Sequence, residues 1–377
     1  MKVAMITQFP ADPQTPRGGV EAVSVNLARG LAQCDDIELH LVTTDPAVAE
    51  TTLSQWQSVT IHRLPRQGRW MLTGAIGPGR RQIQEYVTQL APDVVHAHDT
   101  YGLMVKGLAF PRVFTVHGFI YGDTLVSGQR FAWVRARVWR RIETAGWADQ
   151  PYIISISPYV RERLGGVSSG RIYDIDNPID EAFFHARRRQ RKEVIFSAAV
   201  ICPRKNTLAL VEAVGQLREK GIPVELRLAG AVTDEAYGRT VKETITTRGL
   251  TDTVKLLGSL PIDQVRKELT GAGIFALVSL EENAPMGIAE AMAVGVPVVT
   301  SNRCGMPYMI QHGETGFLVD PHDSREIARR CEHLLTDATL RDAMSKKAKR
   351  LAQGRFHPAV VARKTLEVYR EILSGRK

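Results

Sequence analysis

The fold of this chain is decided by residues 279–299, which read SLEENAPMGIAEAMAVGVPVV. Seven residues separate Glu282 from Glu290, across a proline-containing loop that runs into a predicted helix. A β-branched run follows the helix and predicts a buried strand. This order of loop, helix and strand is typical of a parallel sheet that is covered by helices.

The start of this predicted helix favours binding of an anion or of sugar hydroxyls. A helix N-terminus carries about half a positive charge and unpaired N–H groups, so residues 283–287 are expected to cradle such a ligand. We expect Glu290 in the first helical turn and ionised, because its two oxygens then suit the vicinal hydroxyls of a ribose. Glu282 is expected to reach the other half of a nucleotide sugar. The alternative is an ordinary helix start enriched in acidic residues.

The segment closely resembles the Glu, seven residues, Glu signature of retaining family 4 glycosyltransferases, which have the two-domain GT-B fold. The resemblance extends along nearly the whole chain, and the matching motifs occur in the same order as in the family. The first half holds RGGVEAVSVNLARGL, DVVHAH, FTVHGF, YIISISPYVRERL and NPID, and the second half holds CPRKNTLALVEAV, VELRLAG, VKLLGSL and CGMPYMIQHGETGFLVDP. The resemblance implies transfer of a sugar from a nucleoside diphosphate to a hydroxyl acceptor, with retention at the anomeric carbon.

Length and composition agree with a two-domain globular protein. A chain of 377 residues exceeds what one hydrophobic core usually serves, and its 44% hydrophobic and 24% charged residues are ordinary proportions. No apolar run reaches the roughly 18 residues that a membrane span needs. The opening MKVAMITQF predicts a strand rather than a signal peptide, which favours a cytoplasmic protein. Four cysteines without a CxxC pair favour reduced thiols and disfavour a zinc site.

Short β-branched runs alternate with amphipathic stretches in both halves of the chain. We therefore predict an α/β protein of the GT-B fold, with two Rossmann-like, doubly wound parallel-sheet domains that face each other across a cleft. The predicted domains are residues 1–183 for the acceptor, residues 184–357 for the nucleotide sugar, and a helix in residues 358–377 that crosses back to the first domain. The predicted strands lie near residues 3–7, 38–43, 94–96, 113–116, 153–157, 172–175, 194–198, 225–229, 254–257, 274–278, 296–300 and 316–319.

Open parallel sheets bind ligands at the carboxyl ends of their strands, and several motifs of this chain fall there. Gly18 and Gly19 follow the first strand, so their backbone is expected to approach a diphosphate closely, although a plain turn explains the pair equally well. The stretch is not GxGxxG, which disfavours a dinucleotide cofactor. His117 follows the strand near residues 113–116. The matching histidine of the family contacts the transferred sugar near its hydroxymethyl group, and a packed core histidine is the alternative.

Lys205 follows the first predicted strand of the second half, where a fixed cation would lower the barrier to breaking a sugar–diphosphate bond. A solvated loop cation is the alternative. The family usually has an Arg five residues before this Lys, preceded by Gly, whereas Val200 and Ala199 occupy those positions here. We expect Arg204 to supply the missing charge. The resemblance implies that such cations and backbone dipoles replace a metal, so we predict no metal and no cofactor.

Positive charge is concentrated in residues 51–141, which hold 12 Arg or Lys against four Asp or Glu. On a helix, residues 130–141 would form an aromatic stripe flanked by guanidinium groups, a composition that suits anionic lipid headgroups. A second basic, Trp-bearing loop at residues 66–81 supports this interpretation, and a core-packed helix with a solvated basic face is the alternative. We expect weak contact with the inner face of the cell membrane. No nucleic-acid partner is expected, since no recognition motif accompanies the charge.

The motifs and the family resemblance together imply a role for each candidate residue. The expected donor is a UDP-sugar, with a GDP-sugar as second candidate, and the expected acceptor is a hydroxyl of a glycan or of a lipid-phosphate-linked molecule in cell-surface polysaccharide or glycolipid biosynthesis. Rival functions are a GT-B sugar-nucleotide epimerase or phosphorylase, and a non-catalytic glycan or lipid-phosphate binding module. The expected residues are His117, Arg204, Lys205 and Glu282 for catalysis; Gly18, Gly19, Asn283, Ala284, Pro285, Met286, Gly287 and Glu290 for the donor; and Arg130, Trp133, Arg137, Trp139, Arg140 and Arg141 for the acceptor and membrane surface.

Overall fold

The computed structural model describes residues 1–68, 71–125, 131–189 and 191–375. The chain divides into two compact units: the first is Met1–Pro178 with the chain from Pro358 onward, and the second is Ile179–His357. The predicted boundary after residue 183 differs from this division. Ile179 and Phe183 are fully buried in the core of the second unit, so the crossing comes directly after Pro178.

The first unit is built on an eight-stranded sheet. Its strands are β1 (Lys2–Ile6), β2 (Glu38–Asp45), β3 (Thr52–Trp56), β4 (Val59–Pro65), β5 (Val94–His98), β6 (Arg112–Val116), β7 (Tyr152–Ser155) and β8 (Arg171–Asp174). Their order is β3-β4-β2-β1-β5-β6-β7-β8, and every neighbouring pair is parallel except β3 and β4. The helices are α1 (Gly19–Leu31), α2 (Met71–Ile76), α3 (Pro78–Leu90), α4 (Thr100–Met104), α5 (Ile120–Leu125), α6 (Ala132–Ala148) and α7 (Pro158–Leu164).

The second unit is built on a six-stranded, parallel sheet. Its strands are β9 (Arg191–Ala198), β10 (Glu225–Ala229), β11 (Val254–Gly258), β12 (Ala272–Leu277), β13 (Val298–Ser301) and β14 (Gly316–Val319), in the order β11-β10-β9-β12-β13-β14. β12 is buried on both faces, which explains why its sequence AGIFAL is uniformly apolar. The helices are α8 (Ala182–His185), α9 (Thr207–Glu219), α10 (Glu235–Thr247), α11 (Ile262–Gly271), α12 (Met286–Val294), α13 (Ser324–Thr336) and α14 (Ala338–Arg355).

The last helix, α15 (Pro358–Ser374), lies in the first unit and packs on α1. Val361 and Ala362 share an apolar cluster with Val25 and Leu27 of α1. Gly30 allows the two helices to approach closely, because a Cβ atom there would lie 2.7 Å from the carbonyl oxygen of Pro358. No helix in the described ranges is long and apolar enough to cross a membrane.

The sequence predicted the strands of the two sheets except β3 and β4, which form an antiparallel hairpin at one edge of the first sheet. Residues Thr52, Leu53, Ser54 and Gln55 of β3 are all exposed, so the strand shows no alternation of apolar and polar residues. An edge strand without a buried face therefore left no periodic signal in the sequence.

Candidate functional site

Three of the four predicted catalytic residues come together at the carboxyl ends of β9 and β12. These strands are neighbours in the sheet, so the loops that follow them meet. The ammonium group of Lys205 donates a hydrogen bond to Oε1 of Glu282. Nη1 of Arg204 lies 3.4 Å from Oε2 of the same carboxylate and donates to the carbonyl oxygen of Glu281 at 2.9 Å. We call Arg204, Lys205 and Glu282 the charged cluster.

Backbone hydrogen bonds fix the position of the charged cluster. The N–H of Leu280 donates to the carbonyl oxygen of Arg204 at 2.8 Å, and the N–H of Gly305 donates to that of Glu282 at 2.8 Å. Gly305 has to be a glycine, because a Cβ atom there would lie 1.6 Å from the carbonyl oxygen of Asn283. The side-chain amide of Asn206 ties the turn after Lys205 to the carbonyl oxygen of Val278 at 3.2 Å. Two cations and one carboxylate are thus held in place with a net positive charge.

The surroundings of Glu290 differ from the prediction. α12 begins at Met286, with Pro285 at its N-cap position, so Glu290 lies in the second turn and not in the first. The side chain is buried, and this burial, together with the nearby carboxylate of Asp180, raises the pKa of Glu290 to about 7. The expectation of a fully ionised carboxylate in the first turn was therefore wrong. Gly287 lets the helix start pack closely, since a Cβ there would lie 3.0 Å from the ring of Phe275.

Residues 283–285 lead from Glu282 to α12, and residues 286 and 287 open this helix. Ala284 and Met286 pack against the second unit's core while remaining partly exposed. In the first unit, Gly18 occupies the N-cap position of α1 and Gly19 begins the helix. A Cβ atom at either glycine would meet no atom within 4 Å. The packing of the protein itself therefore does not require glycine at these two positions.

His117 lies at the carboxyl end of β6, next to the end of β5. Its Nε2 is 2.8 Å from Nδ1 of His98, and its backbone N–H donates to Oδ1 of Asp99 at 3.0 Å. Burial lowers the pKa of His117, while the Asp99 carboxylate and a hydrogen bond with Asn177 oppose that shift. His98 and Asp99 were not predicted from the sequence to have a role. The signal was present, since HAHD ends a strand that neighbours the strand before His117.

The histidines of β5 form one buried network with α15. His96 is hydrogen-bonded through Nδ1 to the Tyr369 hydroxyl at 2.6 Å and through Nε2 to the Thr115 hydroxyl at 2.6 Å. The rings of His96 and His98 lie 4.3 Å apart. Burial lowers the pKa of His96 to about 3 and, helped by its histidine neighbours, holds the pKa of His98 well below its usual range. These imidazoles are therefore neutral at physiological pH.

The first unit also contains a cavity of about 300 Å³ at the carboxyl ends of β1, β2, β4 and β5. The Tyr101 hydroxyl accepts a hydrogen bond from the N–H of Thr44 at 3.0 Å and lies 2.8 Å from the Thr44 hydroxyl. None of these residues was predicted, because threonines and tyrosines give no motif. The polar residues that line this cavity are Gln8, Glu21, Thr43, Thr44, Arg66, Gln67, Thr100 and Tyr101.

The basic helix predicted at residues 130–141 corresponds to α6, but the structure corrects its exposed face. Trp133 is 68% exposed, whereas Trp139 is buried and therefore cannot belong to a surface stripe. Arg130 lies outside the described residues. We call the exposed side chains on this helix the α6 face: Phe131, Trp133, Val134, Arg135, Arg137, Val138, Arg140 and Arg141.

Among the described residues, no three His, Cys, Asp or Glu side chains are grouped so as to hold a metal ion. All four cysteines, Cys34, Cys202, Cys304 and Cys331, are free.

Family models match both units of the chain. Residues 178–351 match the model described as glycosyl transferases group 1, and residues 17–183 match the model described as glycosyltransferase family 4.

Some curated relatives match about a third of this chain, and another matches three quarters of it. The putative colanic acid biosynthesis glycosyltransferase WcaL of Escherichia coli K12 is 33% identical over 36% of this chain and 34% of its own length. The amylovoran biosynthesis glycosyltransferase AmsK of Erwinia amylovora is 34% identical over the same shares. These alignments span about a third of each relative. The MMP alpha-(1->4)-mannosyltransferase of Mycolicibacterium hassiacum is 27% identical over 75% of this chain and 71% of its own length.

Solved structures of glycosyltransferases share the fold over the whole chain. Sucrose-phosphate synthase from Thermosynechococcus elongatus superposes with a TM-score of 0.80 at 18% identity and covers 99% of both chains. HepE of Anabaena, in a crystal structure with UDP and glucose, superposes with a TM-score of 0.75 at 17% identity and covers 98% of this chain and 100% of its own.

Proposed function

We propose that this chain, which belongs to glycosyltransferase family 4 and has the GT-B fold, moves a sugar from a nucleoside diphosphate to a hydroxyl acceptor with retention at the anomeric carbon. It is a glycosyltransferase, because the two family models together match residues 17–351. The observation that carries the donor proposal is the charged cluster at the carboxyl ends of β9 and β12. Parallel sheets bind their ligands at this edge.

The charged cluster suits the leaving diphosphate. Breaking the sugar–phosphate bond builds negative charge on the leaving group, and fixed cations stabilise that charge. Arg204 and Lys205 meet one carboxylate, so phosphate oxygens can compete with Glu282 for their N–H groups. Glu282, released from part of this pairing, is then available to the hydroxyls of the transferring sugar. We expect transfer to continue in excess chelator, because these cations perform the role that a metal has elsewhere.

Glu290 is proposed to hold the ribose. A carboxylate accepts two hydrogen bonds side by side, which fits vicinal hydroxyls. Since the pKa of Glu290 is raised to about 7, binding that favours its ionised form should release a proton at or below neutral pH. The HepE structures with UDP and with UDP-glucose support a UDP-sugar as the donor, and a GDP-sugar is the second candidate.

The acceptor is proposed to occupy the cavity of the first unit. Its lining of hydroxyl, amide, carboxylate and guanidinium groups suits a polyhydroxylated ligand better than an apolar one. The names of WcaL and AmsK refer to colanic acid and amylovoran biosynthesis, so we propose a glycan or lipid-linked acceptor in cell-surface polysaccharide or glycolipid biosynthesis. His117 is proposed to contact the transferred sugar.

The α6 face is proposed to meet an anionic membrane surface weakly. It combines the exposed apolar groups Phe131, Trp133 and Val138 with four exposed arginines, while the acidic Glu143 of the same helix is buried. Arginines attract anionic headgroups, and the aromatic side chains suit the interfacial region. This contact would place the protein at the inner face of the cell membrane, near a lipid-linked acceptor.

The test is incubation with UDP-glucose in excess chelator, with UDP release measured and the initial sugar product followed by NMR. A retaining glycosyltransferase releases UDP and first forms the product with the donor's α configuration, with water as the surrogate acceptor. A sugar phosphate formed only with inorganic phosphate would indicate a phosphorylase, and an epimerised sugar nucleotide would indicate an epimerase. Nucleotide binding without any turnover of UDP- or GDP-sugars would indicate a binding module.

A further inference from the structure

Two adjacent residues at the end of β5 hold His117 at both its ring and its backbone. The ring of His98 contacts Nε2 of His117 at 2.8 Å, and the carboxylate of Asp99 accepts the His117 backbone N–H at 3.0 Å. The two contacts fix different parts of the same residue. The His98 contact restricts the rotation of the imidazole, and the Asp99 contact restricts the backbone after β6.

Both residues adopt costly arrangements. Asp99 has φ 46° and ψ −122°, a backbone conformation with positive φ that glycine adopts freely and other residues rarely adopt. His98 is 1% exposed, and its Nε2 makes no hydrogen bond within the described part of the chain. A buried polar atom without a partner is unfavourable. Backbone strain and unsatisfied buried groups concentrate at functional sites, where the surrounding structure maintains them.

The contact also links the proton positions of the two rings. Both imidazoles are neutral, so each carries one N–H and one acceptor nitrogen. The interaction with Asn177 raises the pKa of His117, which favours a ring N–H directed toward Asn177; because Nε2 of His117 faces His98, this N–H is on Nδ1. Nε2 of His117 is then the acceptor, and the proton of His98 lies on Nδ1 and is donated to it. The Nδ1 N–H of His117 is the ring group through which His117 can donate a hydrogen bond to a substrate hydroxyl.

We propose that His98 and Asp99 are positioning residues for His117: His98 fixes its tautomer and rotamer, and Asp99 fixes its backbone. The proposal rests on the proposed function, in which His117 contacts the transferred sugar. Both residues belong to the first unit, whereas the charged cluster belongs to the second. We therefore expect their loss to lower turnover without changing affinity for UDP.

The test that needs no substrate is NMR of the ring nitrogens in ¹⁵N-histidine-labelled protein. We expect His117 to be protonated on Nδ1 and unprotonated on Nε2 in the wild type. His98→Asn should preserve this state, because its amide nitrogen replaces Nδ1 as a donor, and His98→Leu should give a mixture of tautomers. A wild-type His117 protonated on Nε2 would overturn the assignment, whatever the enzyme's activity.

The kinetic test is a double-mutant cycle between His98→Leu and His117→Ala, with the UDP-glucose turnover and the UDP affinity of each variant measured. We expect His98→Leu to lower turnover about tenfold or more, His98→Asn to restore most of it, and the double variant to be no slower than His117→Ala alone. His62→Leu is the control, because it removes another buried histidine of the same unit. Additive losses in the cycle would mean that His98 does not act through His117. Absence of turnover in the wild type would count against the proposed function instead.

Asp99→Gly tests the strained backbone. Glycine relieves the positive φ but removes the carboxylate, so we expect a melting temperature no lower than that of the wild type together with about tenfold lower turnover. Ala91→Gly is the matched control, since Ala91 also has a positive φ, of 47°, at the exposed end of α3. It should keep full turnover. Wild-type turnover in Asp99→Gly would overturn the role of Asp99.

Discussion

The two units carry different chemistry at the same structural position, the carboxyl ends of neighbouring parallel strands. In the second unit, the ends of β9 and β12 bring together two cations and a carboxylate. In the first unit, the ends of β5 and β6 bring together the buried imidazole of His98 and the half-buried imidazole of His117, whose pKa values are lowered, so that both are neutral. Fixed charge suits a leaving group that gains charge, whereas neutral hydrogen-bonding groups suit hydroxyls. Because of this difference, we propose that the second unit binds the donor diphosphate and that the first unit contacts the hydroxyls of the acceptor and of the transferred sugar.

The largest effect is expected from Lys205→Ala. Lys205 donates to Glu282 from a mostly buried position, and removing a fixed group that stabilises transition-state charge typically lowers turnover by about 10² to 10³. The turnover of UDP-glucose measures this. Lys242→Ala is the control, because Lys242 is an exposed lysine of α10 in the same unit. A loss in both variants alike, or in neither, would remove the proposed contrast between the two units.

Arg204→Ala should have the next largest effect, at least about tenfold in turnover, which corresponds to about 1.4 kcal/mol of barrier. Arg204 lies 3.4 Å from Glu282, farther than Lys205 does, and is more exposed than Lys205, so its contribution should be smaller. Val200→Arg should partly restore the activity of the Arg204 variant, because Val200 is exposed and holds the position of the family's usual Arg. Arg239→Ala, on an exposed site of α10, should leave turnover unchanged. Wild-type turnover in Arg204→Ala would show that this side chain faces solvent during catalysis.

Glu290 should make donor binding dependent on pH. If the ribose binds the ionised carboxylate, the affinity for UDP-glucose should fall about tenfold from pH 8 to pH 6, because the pKa of Glu290 is about 7. UDP-glucose is the appropriate probe, since its diphosphate ester does not titrate in this range. Glu290→Gln should bind more weakly at pH 8 and lose this dependence. An unchanged pH profile in Glu290→Gln would exclude a direct role of the carboxylate.

The stability of Glu290→Gln gives an independent check on that pKa. A carboxyl whose pKa is raised on folding, here from 4.5 to about 7, contributes stability that is fully present below pH 4.5 and is lost as the pH rises through 7. Glu290→Gln should therefore unfold like the wild type near pH 4 and be more stable by about 1 to 3 kcal/mol at pH 8. Denaturant unfolding at the two pH values measures this difference.

The smallest expected effect concerns the α6 face. The wild type should sediment with vesicles of anionic lipid at low salt and be released by raised salt, because each basic group contributes about 1 kcal/mol and is screened beyond about 8 to 10 Å. The variant Trp133→Ser with Arg137→Glu should lose this binding. Leu53→Ser with Arg239→Glu is the matched control, since it removes the same two types of exposed group elsewhere. A wild type that stays in the supernatant at low salt would favour a soluble acceptor.

Arg204, Lys205 and Glu282 were each predicted from the sequence, whereas their pairing with one another was not; they come together because parallel strands bring the residues after their ends to one edge of the sheet. Arg204, Lys205 and Glu282 follow strands that pair directly. The surroundings of Glu290 were not predictable, because its burial depends on where α12 begins and on the side chains of other elements. The same limit applies to the cavity, whose lining comes from four separate strand ends.

Trp139 shows an error that the sequence itself could have prevented. Each residue turns a helix by about 100°, so Trp133 and Trp139 point about 120° apart and cannot share one narrow stripe. Trp139 instead lies on the buried stripe of α6 with Ala136, Glu143 and Trp147. Which of the two tryptophans faces the core depends on tertiary packing and was not predictable from the amino-acid composition of the helix.

Isothermal titration of the wild type and Glu290→Ala with UDP at pH 8 tests whether the second unit binds a nucleotide sugar through α12 and the charged cluster. We expect one UDP per chain in the wild type and at least about tenfold weaker binding in Glu290→Ala, since losing a charged hydrogen-bond partner costs about 1.5 to 3 kcal/mol. Titration with GDP serves as the comparison for the base. Equal affinities in the two proteins, or no binding of either nucleotide to the wild type, would show that the second unit does not bind the donor in this way.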